Sequence, residues 1–209
     1  MLDEAWYKLN TMSVEKIFRD SILNLITIYQ NEGSNNGLLT AKALDKIRDK
    51  IPNLKKNSND ELSNIFDSYI SKKDHILAQQ IKEISNYLPW ERSSMGGRID
   101  EDLKKEFIQF VLLGPTGIFK SNDYEVGILM QMPNIDYPAR KHPAEETFFI
   151  IGGQGYFSKN DEPEVLGQVG DYIHHPSMVS HANRTENHHI IWSWRWSGDI
   201  SLESYYKYK

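Results

Sequence analysis

Cysteine is absent from the 209 residues. Thiolate nucleophiles, thiolate metal ligands and disulfide staples are therefore excluded, and the absence fits a reducing compartment, so a cytoplasmic setting is expected. An excess of basic residues is lacking too: 24 Lys and Arg against 29 Asp and Glu give a formal net charge of −5. A dedicated nucleic-acid binder would show a basic stripe to offset phosphate charge, so no nucleic-acid partner is expected. Long apolar runs are also missing. The N-terminus, M-L-D-E-A-W-Y-K, is acidic and has no apolar stretch leading to a small-residue cleavage site, so neither a signal peptide nor a membrane partner is expected. Small-molecule chemistry is the starting expectation.

What the chain does contain is unevenly spread. Six of the seven histidines lie between His142 and His189. The first ninety residues read as helices. Ile17, Ile22, Leu25, Ile26 and Tyr29 follow a 3.6-residue period with Gly33 just beyond, and a second segment begins near Thr40 and stops at Pro52. Ser58 to Glu61 has the form of a capping box, followed by Leu62, Ile65, Phe66 and Tyr69 on one face. Leu77, Ile81, Ile84 and Leu88 form a fourth stripe ended by Pro89. Such stripes are expected to pack as a helical bundle.

Residues 91–101, E-R-S-S-M-G-G-R-I-D-E, have a linker's composition, and beyond them the period changes. F-I-Q-F-V-L-L ends at Gly114-Pro115, Y-E-V-G-I-L-M-Q-M at Pro133, and T-F-F-I-I at Gly152-Gly153. Short apolar segments with this punctuation predict an all-β sandwich or barrel. The expected division is a helical region at 1–95 and a β domain at 96–209.

The histidines fall in this β part. His142 and Glu146 offer one imidazole and one carboxylate, which suit a divalent metal. On a regular strand Arg140, His142, Glu146 and Phe148 share a face, but four extended residues span about 13 Å, so the chain must bend near Pro143 or make a helical turn there. In G-D-Y-I-H-H-P-S-M-V-S-H, Gly170-Asp171 reads as a tight turn, Pro176 interrupts a strand, and His181 returns to the same pocket. Two histidines and a carboxylate make a facial set for Fe2+, Zn2+ or Mn2+. His174, His175, His188 and His189 are assigned to the surface or to positions behind the ligands.

These residues resemble a known family. H-P-A-E-E-T-F-F-I-I-G-G is similar to the first cupin motif, in which a second histidine, a glutamate four residues later and a later glycine stand as His142, Glu146 and Gly153 do here. The G-D…P…H-A-N pattern resembles the second motif. More narrowly, Y-P-A-R-K-H-P-A-E-E resembles the Y-P-x-H-x-H-x-A-x-E signature of cupin-type dimethylsulfoniopropionate lyases, and Leu88-Pro89-Trp90, H-A-N-R-T and W-S-W-R-W-S-G-D-I-S are similar to that family as well. The resemblance implies an α+β fold: an N-terminal helical segment followed by a C-terminal cupin β-barrel, a double-stranded β-helix of jelly-roll type. It implies one divalent transition metal on His142, Glu146 and His181. It also implies β-elimination of a small anionic or zwitterionic carboxylate to dimethyl sulfide and acrylate, and is compatible with a homodimer.

Two positions depart from the family pattern. Arg140 stands where the first histidine of H-x-H would be and carries a permanent charge, so it is no ligand. Phe148 replaces a tyrosine and handles no proton. The base is then expected to be Tyr137, which opens the signature, with a hydroxide on the metal as the other candidate. An inward Arg140 would grip a substrate carboxylate; an outward one would pair with an acidic neighbour on the rim. Trp192, Trp194 and Trp196 alternate along one strand face. Packing between sheet and helices is the expected use of such a stripe, with Trp194 and Trp196 as the members assigned to substrate, where an onium group would gain by cation–π attraction. The competing expectations are a cupin dioxygenase or isomerase on another small carboxylate, and a non-catalytic protein that binds a metal and an anionic metabolite.

Overall fold

The computed structural model describes residues 2–56, 61–93, 101–201 and 203–204. The chain forms two compact units, residues 1–72 with 76–89 and residues 73–75 with 90–209. The division expected at residue 95 falls within 94–100, outside the described residues, as does Ser58 of the expected capping box.

The first unit holds α1 (Leu2–Asn31), α2 (Asn35–Asp45), α3 (Glu61–Tyr69) and α4 (Ile76–Ile84), followed by a single 3-10 turn at Ser85–Tyr87. On α1 the buried residues Val14, Phe18, Ile22, Leu25 and Tyr29 recur every three or four positions, and this face packs on α2 and α4. Gly33 takes a positive φ of 81°, a left-handed conformation that ends the helix. Ser34 then caps α2 by accepting the Gly37 amide at 2.8 Å, so this helix begins ahead of the expected Thr40. It also stops at Asp45, well short of Pro52. Phe66, Leu77, Ile81, Ile84 and Leu88 are buried as their stripes predict.

The second unit runs through β1 (Glu91–Arg92), the one-turn α5 (Glu101–Lys104), β2 (Phe107–Gly114), β3 (Phe119–Lys120), β4 (Tyr124–Gln131), β5 (Asp136–Arg140), β6 (Glu145–Lys159), β7 (Val165–Gln168), β8 (Tyr172–His175), β9 (His181–Arg184) and β10 (Ile190–Ser197). The sheet order is β1-β2-β4-β10-β6-β9-β5, with β7 and β8 also on β6 and β3 on β2. All pairings but that of β2 with β3 are antiparallel. The fold is α+β: N-terminal helices followed by a curled sheet of the cupin, double-stranded β-helix type.

One long strand makes the curl. Gly152-Gly153 does not end β6 as its sequence suggests; β6 continues for 15 residues, and its register with β10 shifts at Ile151, just before the glycines. Gly153 has φ 65°, and a Cβ there would meet the His189 carbonyl oxygen at 2.0 Å, so no other residue fits. β6 pairs with β8 before the bulge, with β10 on both sides of it, and with β7 and β9 after it.

Directly opposed residues of an antiparallel pair share a face. Glu125 on β4, Trp196 on β10, Glu146 on β6 and His175 on β8 are opposed in succession and form one interior row. The next row is Gly127, Trp194, Phe148 and Ile173, and the one beyond it is Leu129, Trp192 and Ile150. The three tryptophans thus face the inside of the barrel. Packing between sheet and helices, the expected use of this stripe, is not what the register shows.

Candidate metal centre and cavity

The rows line a cavity of about 660 Å3. Its size suits a small ligand. At one end stand the residues whose spacing suggested a metal. The chain bends at Pro143 and Ala144 without forming a helical turn, and β6 opens at Glu145. The bend brings His142 Nε2 to 3.6 Å from Glu146 Oε2. From β9, His181 Nε2 comes to 3.3 Å from the same oxygen. Donor atoms of the three residues lie within 4.8 Å of one another, and all three side chains are buried.

Backbone carbonyls fix both rings. His142 Nδ1 lies 2.9 Å from the Ala144 oxygen and His181 Nδ1 lies 2.9 Å from the Val179 oxygen. A carbonyl only accepts, so each Nδ1 carries a proton and each Nε2 is turned toward the carboxylate. The loop that supplies Val179 is itself tied down, because Met178 donates its amide to the His142 carbonyl at 2.9 Å.

Burial, helped by the nearby Arg140 charge, pushes the His181 imidazole down to about 3, so it is neutral at ordinary pH. Ring nitrogens therefore converge on a carboxylate in a buried site. Among the described residues Glu146 Oε2 and His181 Nε2 have no hydrogen-bond partner. Such an arrangement is unfavourable unless a cation sits among the atoms, and two imidazoles with one carboxylate suit a divalent transition ion.

Glu146 is held from its other oxygen, which accepts the Trp196 indole N–H at 2.5 Å. The Trp196 ring also packs on His142, with centroids 4.8 Å apart. The Trp194 ring lies flat across β4, where Gly127 leaves it room: a Cβ at 127 would meet Trp194 Cη2 at 2.2 Å. Trp192 is fully buried among Phe148 and Phe157.

Tyr137 and Arg140 are three apart and would point opposite ways on a regular strand. One extra residue between them, where Tyr137 opposes Asn183 and Arg140 opposes His181, turns both inward. Arg140 is buried, its Cζ 3.6 Å from the Tyr137 ring centroid, and Nη1 donates to the His181 carbonyl oxygen at 3.5 Å. Of the two placements the sequence allows for Arg140, the structure shows the inward one. Phe148 packs 4.9 Å from Trp192 and 4.9 Å from His175.

Two interior residues were not singled out from the sequence: His175 was left between the surface and a position behind the ligands, and Glu125 was not named. His175 is buried, stacked on His181 at 4.2 Å, with Nδ1 3.5 Å from Glu146 Oε2. In a doubled histidine on a strand one ring faces inward, and that alternation was the available signal; its neighbour His174 meets Thr147 instead. Glu125 is the other. It sits on a strand that is apolar on both sides, where a carboxylate is out of place.

The family model for dimethylsulfoniopropionate lyase matches residues 38–191. The chain is similar to the dimethylsulfoniopropionate lyase DddQ of Ruegeria pomeroyi, 31% identical over 111 residues, which is 53% of this chain and 55% of that protein. The match thus spans about half the length of that relative. The crystal structure of the lyase DddQ from Ruegeria pomeroyi superposes with a TM-score of 0.64 at 22% identity, covering 87% of this chain and 93% of that one. Another, from work on the lyases RdDddP and RnDddQII, gives a TM-score of 0.62 at 19% identity over 87% and 95% of the two chains.

Proposed function

The chain belongs to the dimethylsulfoniopropionate lyase family, and from that membership we propose that it cleaves dimethylsulfoniopropionate to dimethyl sulfide and acrylate by β-elimination. The observation that carries the reading is the convergence of His142, Glu146 and His181 at one end of a cavity that also receives Tyr137 and Arg140. A divalent ion on those three ligands, Fe2+, Zn2+ or Mn2+, would supply positive charge beside the substrate carboxylate, where negative charge builds as the neighbouring proton departs.

The residues of the chain do the rest. Arg140, whose Nη1 also donates to the His181 carbonyl, binds and orients the carboxylate through its remaining N–H groups. Tyr137 removes the proton from the carbon next to the carboxylate. The Arg140 guanidinium lies against its ring, 3.6 Å from the centroid. The C–H electron pair becomes the new C=C bond, the C–S bond breaks, and dimethyl sulfide leaves with the electron pair of the broken C–S bond. Trp194 and Trp196 exclude water and offer aromatic faces to the sulfonium. The reading carries with it a cytoplasmic setting and a homodimer. Among the described residues no helix is long and apolar enough to cross a membrane.

Headspace detection of dimethyl sulfide from added substrate tests the activity. Tyr137→Phe is expected to lower kcat by 10²-fold or more, the usual scale for a lost general base. A Phe variant at full rate removes Tyr137 from the role. Purified protein is expected to bind one divalent ion per chain, and His142→Ala or His181→Ala to lose it; unchanged metal content in both would sink the ligand set. One observation favours a second reading, capture of an anionic metabolite without turnover: Phe148, packed between Trp192 and His175, offers no proton-handling group. Tight binding of the substrate with no dimethyl sulfide released would establish it.

A further inference from the structure

The cavity is polarised in a way the metal centre does not explain. Arg140 is the one permanently cationic side chain among the described residues that line it, and it stands on β5. At the other end of the strand order, β1 and β4 contribute the carboxylates Glu91 and Glu125, and the segment after β10 contributes Asp199. Glu91 is engaged by the Gln109 amide at 3.0 Å. Glu125 is placed differently. It opposes Trp196, which opposes Glu146, so its backbone stands two strand spacings, about 10 Å, from that of Glu146.

Its surroundings are built for it. Gly114 leaves space for the side chain, since a Cβ there would meet Glu125 Cγ at 2.9 Å and Oε2 at 3.1 Å. Gly127, two residues along the same face, lets Trp194 lie flat enough for its indole to donate to the Glu125 carboxyl. Trp196 has already given its N–H to Glu146, so it presents Glu125 with a ring and no donor. Glu125 thus sits half-buried between two indoles, and among the described residues no cation stands beside it. Burial, then repulsion from Glu146 and Glu91 against the help of the indole, pushes its carboxyl up to about 7. A cation brought against it would reverse that shift and be held more firmly there than by aromatic faces alone.

We infer that Glu125 is a specificity-determining residue: it receives the onium end of a zwitterionic substrate whose carboxylate is held at the Arg140 end. The inference rests on the lyase reading for the identity of the onium group, a sulfonium. It explains why a carboxylate is kept on a strand otherwise given to apolar packing. It also gives the cavity a way to prefer a carboxylate bearing a positive tail over a bare one.

The test is a binding preference measured by calorimetry on the metal-loaded protein. The probes are propionate and 3-(trimethylammonio)propionate, an ammonium counterpart of the substrate with a poor leaving group. The parent is expected to bind the zwitterion at least tenfold more tightly than propionate, and Glu125→Gln to lose roughly tenfold of that preference, equivalent to about 1.4 kcal/mol. Propionate affinity should stay unchanged. Glu125→Met gives the same reading should the amide variant fold poorly, and Glu125→Asp keeps the charge and the preference. A parent without preference, or a neutral variant that retains it, overturns the inference. A parent that prefers the zwitterion through Glu125 yet releases no dimethyl sulfide refutes the lyase reading alone, and a parent that releases dimethyl sulfide while the Gln variant keeps the preference refutes the role of Glu125 alone.

Discussion

A carboxyl held near 7 has a consequence for stability that separates Glu125 from the ligands. Its ordinary value is 4.5 and its folded value about 7, so the folded state binds a proton that the unfolded chain gives up earlier. The associated stability is fully present below 4.5 and is lost as pH rises through 7. Glu125→Gln keeps an acceptor for the Trp194 indole and removes the ionisation. In metal-free protein the Gln variant should match the parent near pH 4.5 and exceed it at pH 8 by about 1–3 kcal/mol, a rise of several degrees in Tm. Equal midpoints at pH 8 would show that Glu125 ionises without cost. The proposed ligands His142, Glu146 and His181 were legible through their resemblance to the cupin motifs, since spacing alone leaves the approach of His142 to Glu146 dependent on a bend at Pro143. Arg140, Tyr137, Glu125 and His175 were less so: where each points depends on a bulge in β5 or on which strand lies opposite, and neither is written in the local sequence.

At the scale of elements, the strands at 107–114 and 124–131 follow their apolar runs because Gly114-Pro115 and Pro133 cannot continue a ladder. The same reasoning failed at Gly152-Gly153. A glycine pair marks either an end or a bulge, and here the backbone of His189 on the neighbouring chain segment decides by passing within 2.0 Å of where a Cβ would stand. Helix starts were blurred for a related reason: the Ser34 cap, not the apolar period, sets where α2 begins. Two glycines with left-handed backbone then make a controlled comparison. Gly170 has φ 98° with open space around it, whereas Gly153 has φ 65° and no space. Gly170→Ala should cost about 1 kcal/mol from backbone strain alone. Gly153→Ala adds a collision that the β6 bulge must relieve, and should cost about 3 kcal/mol or more, with a Tm lower by roughly 6–12 °C. Equal melting shifts for the two would show that the bulge is not what fixes the corner of the barrel.

For the whole molecule, the division into two compact units means that unfolding need not be one event, and a single midpoint would then describe neither unit. The proposed ligands all belong to the second unit, residues 73–75 with 90–209, so a metal that binds only the folded site stabilises that unit directly. At a free ion concentration about a hundred times Kd the gain is about 2.7 kcal/mol, on the order of 10 °C for a unit of this size. Trp90, Trp192, Trp194 and Trp196 lie in the β unit, so tryptophan fluorescence reports chiefly on it, while ellipticity at the helical minimum is weighted toward the other. Adding a chelator should lower the fluorescence midpoint by that amount and leave the helical midpoint nearly in place. A common shift in both signals would show instead that the two units unfold as one, and His181→Ala should abolish the shift in either case. Insensitivity of both midpoints to metal and chelator would remove the reason for the buried, partnerless oxygen and nitrogen of Glu146 and His181, and with it the metal centre itself.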